Sequence, residues 1–250
     1  MLSLDLINFY RQISQQTLTI VDIETTGVSP HRCRVIEVSV LQASLADGIH
    51  WQQTHLINPQ VQVPEQITQF TGITQAMVDA APMPAEVWPK YQDILQKGVL
   101  TAHNLNFDYS FLRSEYQYLG LPYIRPPEQQ FCTVKLARLL LADLPSRSLP
   151  NLVQHFGFQV GAAHRAEADT LACWLLAKHL LTEMLEIPEA KLLKQLDQSW
   201  IPLETAAQIL DCQIGEAGQR LAAAGLPTKY AHRRQTNLYR RGSVEKLVGF

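Results

Sequence analysis

The sequence predicts an α/β protein, with a mixed sheet flanked by helices and a small second domain. Three strand-like segments follow one another between residues 17 and 59, and helical patterns dominate after residue 84. Strands that come first and are then interspersed with helices are typical of a mixed sheet with helices on its faces. The pattern loosens between Pro188 and Pro202. We place a boundary there, which divides the chain into domains of residues 1–197 and 198–250.

The predicted elements begin with an amphipathic N-terminal helix, in which five apolar residues share one face: Leu2, Leu6, Phe9, Tyr10 and Ile13. This segment lacks the positive start and continuous apolar core of a signal peptide. Three strands follow, with the sequences TLTIVDIE, RVIEVSVLQASL and GIHWQQTHLINP. Their short connections favour an antiparallel meander.

Helices dominate the next hundred residues. The segment PAEVWPKYQDIL is helical in pattern, VLTAHN is a short strand, and residues 107–119 have apolar side chains at helical spacing. The two strongest helical patterns are FCTVKLARLLLADL and AEADTLACWLLAKHLLTEML. Because they follow the strands along the chain, they predict helices that pack on the faces of the sheet.

The charge of the chain is unevenly distributed. The formal net charge is −2, which excludes a global basic field for nucleic acid or a membrane surface. Residues 1–197 carry 14 basic and 19 acidic side chains, whereas residues 198–250 carry 7 and 4. The four cysteines form no CxxC pair, which favours reduced thiols and a cytoplasmic protein. No apolar run reaches the ~18 residues of a transmembrane helix, so we expect no membrane association.

The segment LTIVDIETTG ends an apolar run with two acids, Asp22 and Glu24. Residues i and i+2 of a strand point to the same side of the sheet, so these carboxylates should converge. Two close carboxylates repel each other unless a cation lies between them. The alternative is that the strand leaves the core here and the acids begin a solvated turn.

Two further polar insertions are TAHNLNFDYSFL and AAHRAEADTLACWLLAKHL. Asp108 opens the helix after a predicted strand, Asp169 lies near the start of another helix, and His164 precedes it by five residues. Taken singly, the acids are explained as helix caps or dipole partners, and the histidine as a capping or surface residue.

The four acids gain a different meaning when they are considered together. Strand ends and helix starts of an open sheet gather at one edge, and four carboxylates there would need divalent cations. All-oxygen ligands favour Mg²⁺ or Mn²⁺, and two such ions can promote hydrolysis of a phosphodiester. His164 has a suitable pKa to accept the proton of the attacking water.

In order and spacing, VDIETTG, HNLNFDYSFL and HRAEAD resemble the three motifs of the DEDDh-type (DnaQ-like) 3′→5′ exonucleases. That family includes the proofreading epsilon subunit of bacterial DNA polymerase III. The resemblance covers roughly residues 15–185, and ITQFTGIT resembles the connection between the first two motifs. It implies a ribonuclease H-like mixed sheet and an enzyme that releases nucleoside 5′-monophosphates from 3′ ends.

The resemblance also implies residue roles. Four acids would hold two Mg²⁺ or Mn²⁺ ions, namely Asp22, Glu24, Asp108 and Asp169, and His164 would be the general base. The 3′-terminal nucleotide would be contacted by Thr25, Thr26 and Gly27. Asn104 and Phe107 would help to seat the terminal bases. The implied substrate is single-stranded or frayed DNA, with a DNA polymerase as partner. RNA trimming by the same chemistry is one alternative, and a non-catalytic binding or scaffold subunit is another.

The basic end resembles the winged helix-turn-helix of excisionase- and MerR-type DNA-binding proteins, over about residues 201–248. IGEAGQRL would be the recognition helix, and four arginines on or beside the wing would contact phosphates: Arg233, Arg234, Arg240 and Arg241. Because this helix is poor in base-reading side chains, sequence-independent nucleic-acid contact, protein docking and structural support all stay open. QLDQSW at 195–200 resembles a sliding-clamp peptide, or marks a helix-to-linker transition.

Overall fold

The computed structural model describes residues 1–231 and 235–249 of the chain. It divides into two compact units, one of residues 12–182 and one that combines residues 1–11 with residues 183–250. The predicted boundary between residues 197 and 198 differs from this division. The change of unit falls inside a helix, and the first eleven residues belong with the C-terminal segment.

The larger unit contains a five-stranded sheet, whose strands are β1 (Leu18–Thr25), β2 (Val35–Ser44), β3 (Gly48–Leu56), β4 (Val99–Ala102) and β5 (Gln130–Cys132). Their order is β3-β2-β1-β4-β5. The pairs β1–β2 and β2–β3 are antiparallel, whereas β1–β4 and β4–β5 are parallel. The predicted meander and mixed sheet are therefore confirmed.

Seven helices described for the larger unit, the last of which extends beyond it, are α2 (Glu65–Thr71), α3 (Gln75–Asp79), α4 (Pro84–Leu95), α5 (Leu105–Tyr118), α6 (Thr133–Leu140), α7 (Leu149–Phe156) and α8 (Ala166–Glu186). The predicted N-terminal helix is α1 (Ser3–Ile13). Its buried apolar residues are Ile7, Tyr10 and Ile13, so its buried face is rotated from the predicted one.

The core that positions the site lies on one face of this sheet. Val21 and Ile23 of β1 join Trp88 of α4 and Phe111 of α5 in a single buried cluster. Side chains alternate along a strand, so Asp22, which lies between these two residues, and Glu24, which follows them, point to the opposite face. The apolar side of β1 thus fixes the direction in which Asp22 and Glu24 project.

The smaller unit contains a second sheet and several short helices. Its elements are α9 (Glu189–Gln198), β6 (Trp200–Pro202), α10 (Leu203–Ile209), α11 (Ile214–Ala223), β7 (Thr228–Ala231), β8 (Thr236–Arg240) and α12 (Arg241–Glu245). The strands are antiparallel in the order β6-β8-β7. Leu2 packs on its apolar core beside Ile201 and Val244. None of the helices in the described ranges has the length and hydropathy that a membrane crossing requires.

Candidate active site

Three acids from two elements converge as the motifs predict. Asp22 and Glu24 leave the same side of β1, and Asp169 lies in the first turn of α8. Each offers one carboxylate oxygen, and these oxygens all lie within 4.8 Å of one another. Pairing of β1 with β2 becomes irregular between Glu24 and Thr25, at the point where the acids end the strand. The explanation of Asp22 and Glu24 as the start of a solvated turn is therefore wrong.

Asp108 lies behind this group, in the first turn of α5, and is only 5% exposed. Asp108 adds to the electrostatic repulsion, because its negative charge raises the pKa of Asp22. The negative charge of Glu24 in turn raises the pKa of Asp108. Backbone N–H groups of Ile23 and of Asp108 itself donate hydrogen bonds to its carboxyl group. The sheet edge thus brings all four predicted acids together.

Burial raises the pKa of each of these four carboxyl groups. The pKa of Glu24 and that of Asp108 are both raised to about 8, chiefly by loss of hydration and then by neighbouring negative charge. The same causes raise the pKa of Asp22 and Asp169. Crowded carboxylates with too little compensation favour a bound cation. Their all-oxygen chemistry fits a hard divalent ion such as Mg²⁺ or Mn²⁺.

His164 lies at the edge of the acid group, in the turn before α8. Its backbone N–H donates a hydrogen bond of 3.0 Å to Oδ2 of Asp169. It has a positive φ of 62°, which is uncommon for a residue with a side chain. Its ring packs against that of Phe70 of α2, with centroids 3.8 Å apart and the ring planes tilted by 34°. The general base that the motif predicts is therefore held from two sides.

The turn after β1 uses its threonine hydroxyl groups internally. The hydroxyl of Thr25 donates to the carbonyl of Gly27 at 2.7 Å, and that of Thr26 accepts from the backbone N–H of Arg34 at 2.9 Å. A Cβ atom on Gly27 would lie 2.8 Å from Sγ of Cys33, so the close approach requires glycine. We therefore expect this turn to meet a substrate through its backbone.

Asn104 is the N-cap of α5, and Phe107 lies in its first turn directly before Asp108. The carbonyl of Asn104 accepts a hydrogen bond of 2.8 Å from the N–H of Phe107. Asn104 is exposed, and Phe107 is half-buried with its ring centroid 5.0 Å from that of Phe111. Their proposed contact with terminal bases stays a prediction, and both side chains are accessible for it.

Two buried acids that support the site were missed by the sequence analysis. Glu115 of α5 accepts two hydrogen bonds of 2.8 Å from Arg34, and others from the Val35 N–H and the Trp88 indole. It thereby fixes the return of the turn into β2. Glu37 of β2 forms the second such anchor. An acid inside an apolar run, as in VIEVSV, was the available signal.

The basic end differs from the prediction in one assignment. Arg241 is 4% exposed and pairs with Glu245 at 2.7 Å, so the predicted phosphate contact of this residue is wrong. Arg240 lies over the ring of Trp200 at 4.3 Å. The other two predicted contacts, Arg233 and Arg234, lie outside the described residues.

Two other features of this unit also bear on predicted contacts. In the predicted recognition helix α11, the guanidinium of Arg220 donates a hydrogen bond of 3.2 Å to the carbonyl of Leu210. This contact engages one of the few side chains of α11 that could read bases. The QLDQSW segment is folded into α9 and β6. Leu196 at its centre is 2% exposed and therefore inaccessible to a clamp.

Comparison with known proteins agrees with this geometry. The sequence model of the RNase_T exonuclease family matches residues 19–176. The chain is 32% identical over 196 residues to a PolC-type DNA polymerase III of Clostridium perfringens, covering 78% of this chain and 13% of that protein. It is 30% identical over 167 residues to the DNA polymerase III epsilon subunit of Aquifex aeolicus, covering 66% of this chain and 80% of that subunit.

A solved structure gives the same fold. The chain resembles the zinc-bound complex of E. coli exonuclease I with single-stranded DNA, with a TM-score of 0.61 and 20% identity. That match covers 73% of this chain and 43% of the other. At this identity the likeness establishes the fold alone.

The chain belongs to the exonuclease family, and its larger unit has the ribonuclease H-like exonuclease fold. The predicted exonuclease family and ribonuclease H-like mixed sheet are thereby confirmed, whereas the winged-helix segment stays a prediction. The matched segment, residues 19–176, contains the four acids and His164. Exonucleases of this fold depend on divalent metal ions, and the carboxylate cluster of this chain offers ligands for one. The chain spans only 12–13% of the polymerase relatives first matched.

Proposed function

We propose that this chain is a metal-dependent 3′→5′ exonuclease that hydrolyses phosphodiester bonds at single-stranded or frayed DNA 3′ ends. The observation that chiefly supports the proposal is the convergence of Asp22, Glu24 and Asp169 oxygens within 4.8 Å, in a member of the exonuclease family. Asp108 beside them completes a set suited to two divalent ions, Mg²⁺ or Mn²⁺.

The residues of the chain divide the chemistry between them. Asp22, Glu24, Asp108 and Asp169 would hold the ions, which when bound stabilise negative charge on the phosphate oxygens. His164 accepts the proton of a water whose oxygen attacks the terminal phosphorus. The P–O3′ bond breaks and a nucleoside 5′-monophosphate is released, while O3′ of the shortened strand takes a proton from solvent and becomes its new 3′-hydroxyl. The turn from Thr25 to Gly27 presents backbone groups to the terminal nucleotide.

The substrate and setting are proposed from the relatives. E. coli exonuclease I is the neighbour found in complex with single-stranded DNA. The relatives of C. perfringens and A. aeolicus are DNA polymerase III proteins. Proofreading or repair, in association with a DNA polymerase, is therefore the proposed setting. Trimming of RNA ends uses the same chemistry and is distinguished by the experiment below.

The proposal is tested by digestion of 5′-labelled single strands, one of DNA and one of RNA, with Mg²⁺ or Mn²⁺. The expected result is a ladder that shortens from the 3′ end, faster on DNA, and lost in Asp22→Asn and His164→Ala. Matched controls are Asp143→Asn and His50→Ala, which change an exposed acid and an exposed histidine outside the site. Both controls should digest as the wild type does.

Each other outcome has a distinct meaning. A faster ladder on RNA would replace the proposed DNA substrate with RNA. A ladder unaffected by Asp22→Asn would contradict the assignment of the acids. Absence of any metal-dependent ladder on either strand would leave a non-catalytic nucleic-acid-binding or scaffold role in place of the enzyme.

For the smaller unit we propose a winged-helix-like module that contacts nucleic acid without sequence preference. Its support is the order of α10, α11 and the β7–β8 hairpin, together with the 7 basic against 4 acidic side chains of residues 198–250. Arg233→Ala combined with Arg234→Ala should weaken DNA binding and lower the salt slope by about two. The matched control, Lys135→Ala with Lys178→Ala, removes two exposed charges from the larger unit. Unchanged affinity and salt slope in the arginine variant would contradict the proposal.

A further inference from the structure

A fifth acid, Glu37, lies beside the proposed metal ligands. It occupies β2 directly opposite Glu24 in the strand register, and it is 1% exposed. We propose that Glu37 is a positioning residue, which holds the turn that carries His164 through contacts with Arg165 and Ala166. This proposal rests on the proposed function, because it assigns Glu37 a part in placing the general base.

The hydrogen bonds of Glu37 are directed at the two residues that follow His164. Nη2 of Arg165 donates to Oε1 at 2.6 Å, and Nε lies 3.2 Å from both carboxylate oxygens. The backbone N–H of Ala166, the first residue of α8, donates to Oε2 at 2.8 Å. A carboxylate has about four lone-pair positions, so these four contacts leave Glu37 poorly suited to serve as a metal ligand.

These contacts continue to His164 through Asp169. The N–H of Asp169 donates to the carbonyl of Arg165 at 3.0 Å, which begins the first turn of α8. Oδ2 of Asp169 in turn accepts from the N–H of His164. A continuous series of hydrogen bonds therefore links Glu37, Arg165, Asp169 and His164, and it is anchored on a buried strand. The positive φ of His164 depends on this support.

The charges in this series also suit a positioning role. Glu37 is a negative charge near a repulsive acid group, and it contributes to the raised pKa of Glu24 and Asp169. Arg165 offsets that charge and acts on Glu24 in the opposite direction. The pair therefore adds less repulsion at Glu24 than Glu37 alone would add. A charge-assisted, forked contact also fixes direction better than a single hydrogen bond does.

The experiment uses Arg165→Ala and Glu37→Gln in the full chain. The side chain of Arg165 is 41% exposed, so its loss should leave the fold intact even if Glu37→Gln does not fold. The expected fall in kcat is about tenfold to a hundredfold, because a displacement of about 1 Å can cost that much. KM for single-stranded DNA and the Kd for Mn²⁺ should change less than about twofold. Arg11→Ala, which breaks an exposed pair with Glu189, is the matched control.

A second readout separates positioning from general support. In a His164→Ala background, Arg165→Ala should lower kcat no further, because the group that it positions is already absent. A further loss, equal to that in the wild-type background, would overturn the proposal. So would a wild-type kcat in both single variants.

A third readout does not depend on activity. Hydrogen exchange of the metal-free protein should be faster for amides of residues 160–166 in Arg165→Ala than in wild type. Equal exchange would overturn the proposed tether. If the wild type shows no exonuclease ladder, the proposed function fails, and this exchange measurement alone decides whether Glu37 holds the turn.

Discussion

Binding of a divalent cation to this protein should release protons, because two of the proposed ligands are protonated near neutral pH. The pKa of Glu24 and that of Asp108 are each about 8. Each is then about nine-tenths protonated at pH ~7 and about one-tenth protonated at pH ~9. Metal ligands bind in their deprotonated form. We therefore expect release of about 1.8 protons from the pair at pH ~7 and of about 0.2 at pH ~9.

The assay is calorimetric titration of the metal-free protein with Mn²⁺ in two buffers at one pH, phosphate and Tris. These buffers differ in heat of protonation, so the difference in observed enthalpy gives the number of protons released. Glu24→Gln should lower that number by about one at pH ~7, whereas Asp143→Asn should leave it unchanged. Equal observed enthalpies in phosphate and Tris at pH ~7 would refute the reasoning that burial keeps these acids protonated.

Three further predictions concern stability and the histidine. Because the pKa of Asp108 is raised in the folded state, the metal-free protein should lose thermal stability as pH rises from about 4 to about 8. Asp108→Asn should reduce that loss. A melting temperature that falls with pH as steeply in the variant as in the wild type would contradict this prediction. Glu115→Gln breaks the buried pair with Arg34 and should lower the free energy of unfolding by about 3–5 kcal/mol in a denaturant titration; a loss below about 1 kcal/mol would match an exposed pair instead. Phe70→Leu removes the ring packed against His164 and should shift its imidazole proton resonances in NMR spectra; identical resonances would show that this contact is not formed.

The acids of the site were predictable because each one interrupts an apolar pattern at the end of an element. Asp22 and Glu24 end β1, and Asp108 and Asp169 open helices. Such places are physically marked, since two carboxylates at the end of a buried strand require either a cation or a solvated turn. The spacing of the motifs then supplied the role of His164, which its local sequence alone did not.

The supporting residues were not predictable in the same way. Glu37 lies in the middle of β2, where a polar residue fits an ordinary alternating strand with one solvated face. The structure covers both faces, and nine of the ten residues of β2 are buried. Glu115 fits equally well on the exposed face of a helix. The apolar run around Glu37 was a signal in the sequence, but the salt bridges with Arg165 and Arg34 are what distinguish these two acids from surface residues.

Short elements were the other gap. The strand β5 has three residues and merges in sequence with α6, so its pattern is that of the stronger helix. Arg241 was misassigned for a similar reason, because the pair of arginines at the end of β8 has the composition of an exposed basic patch. Its partner Glu245 is one helical turn away, and Ser3 is at the other end of the chain.

The contacts of Arg241 have a consequence for the order in which the chain folds. Its guanidinium donates to the hydroxyl of Ser3 at 2.9 Å and to the carbonyl of Met1 at 2.5 Å, across separations of 238 and 240 residues. On the ribosome, residues 1–11 emerge before the larger unit, and their partners emerge after it. The larger unit can therefore fold during synthesis, whereas the smaller one closes only after residue 241 is released. Until then Leu2 has no core to enter, and the nascent chain presents it to chaperones.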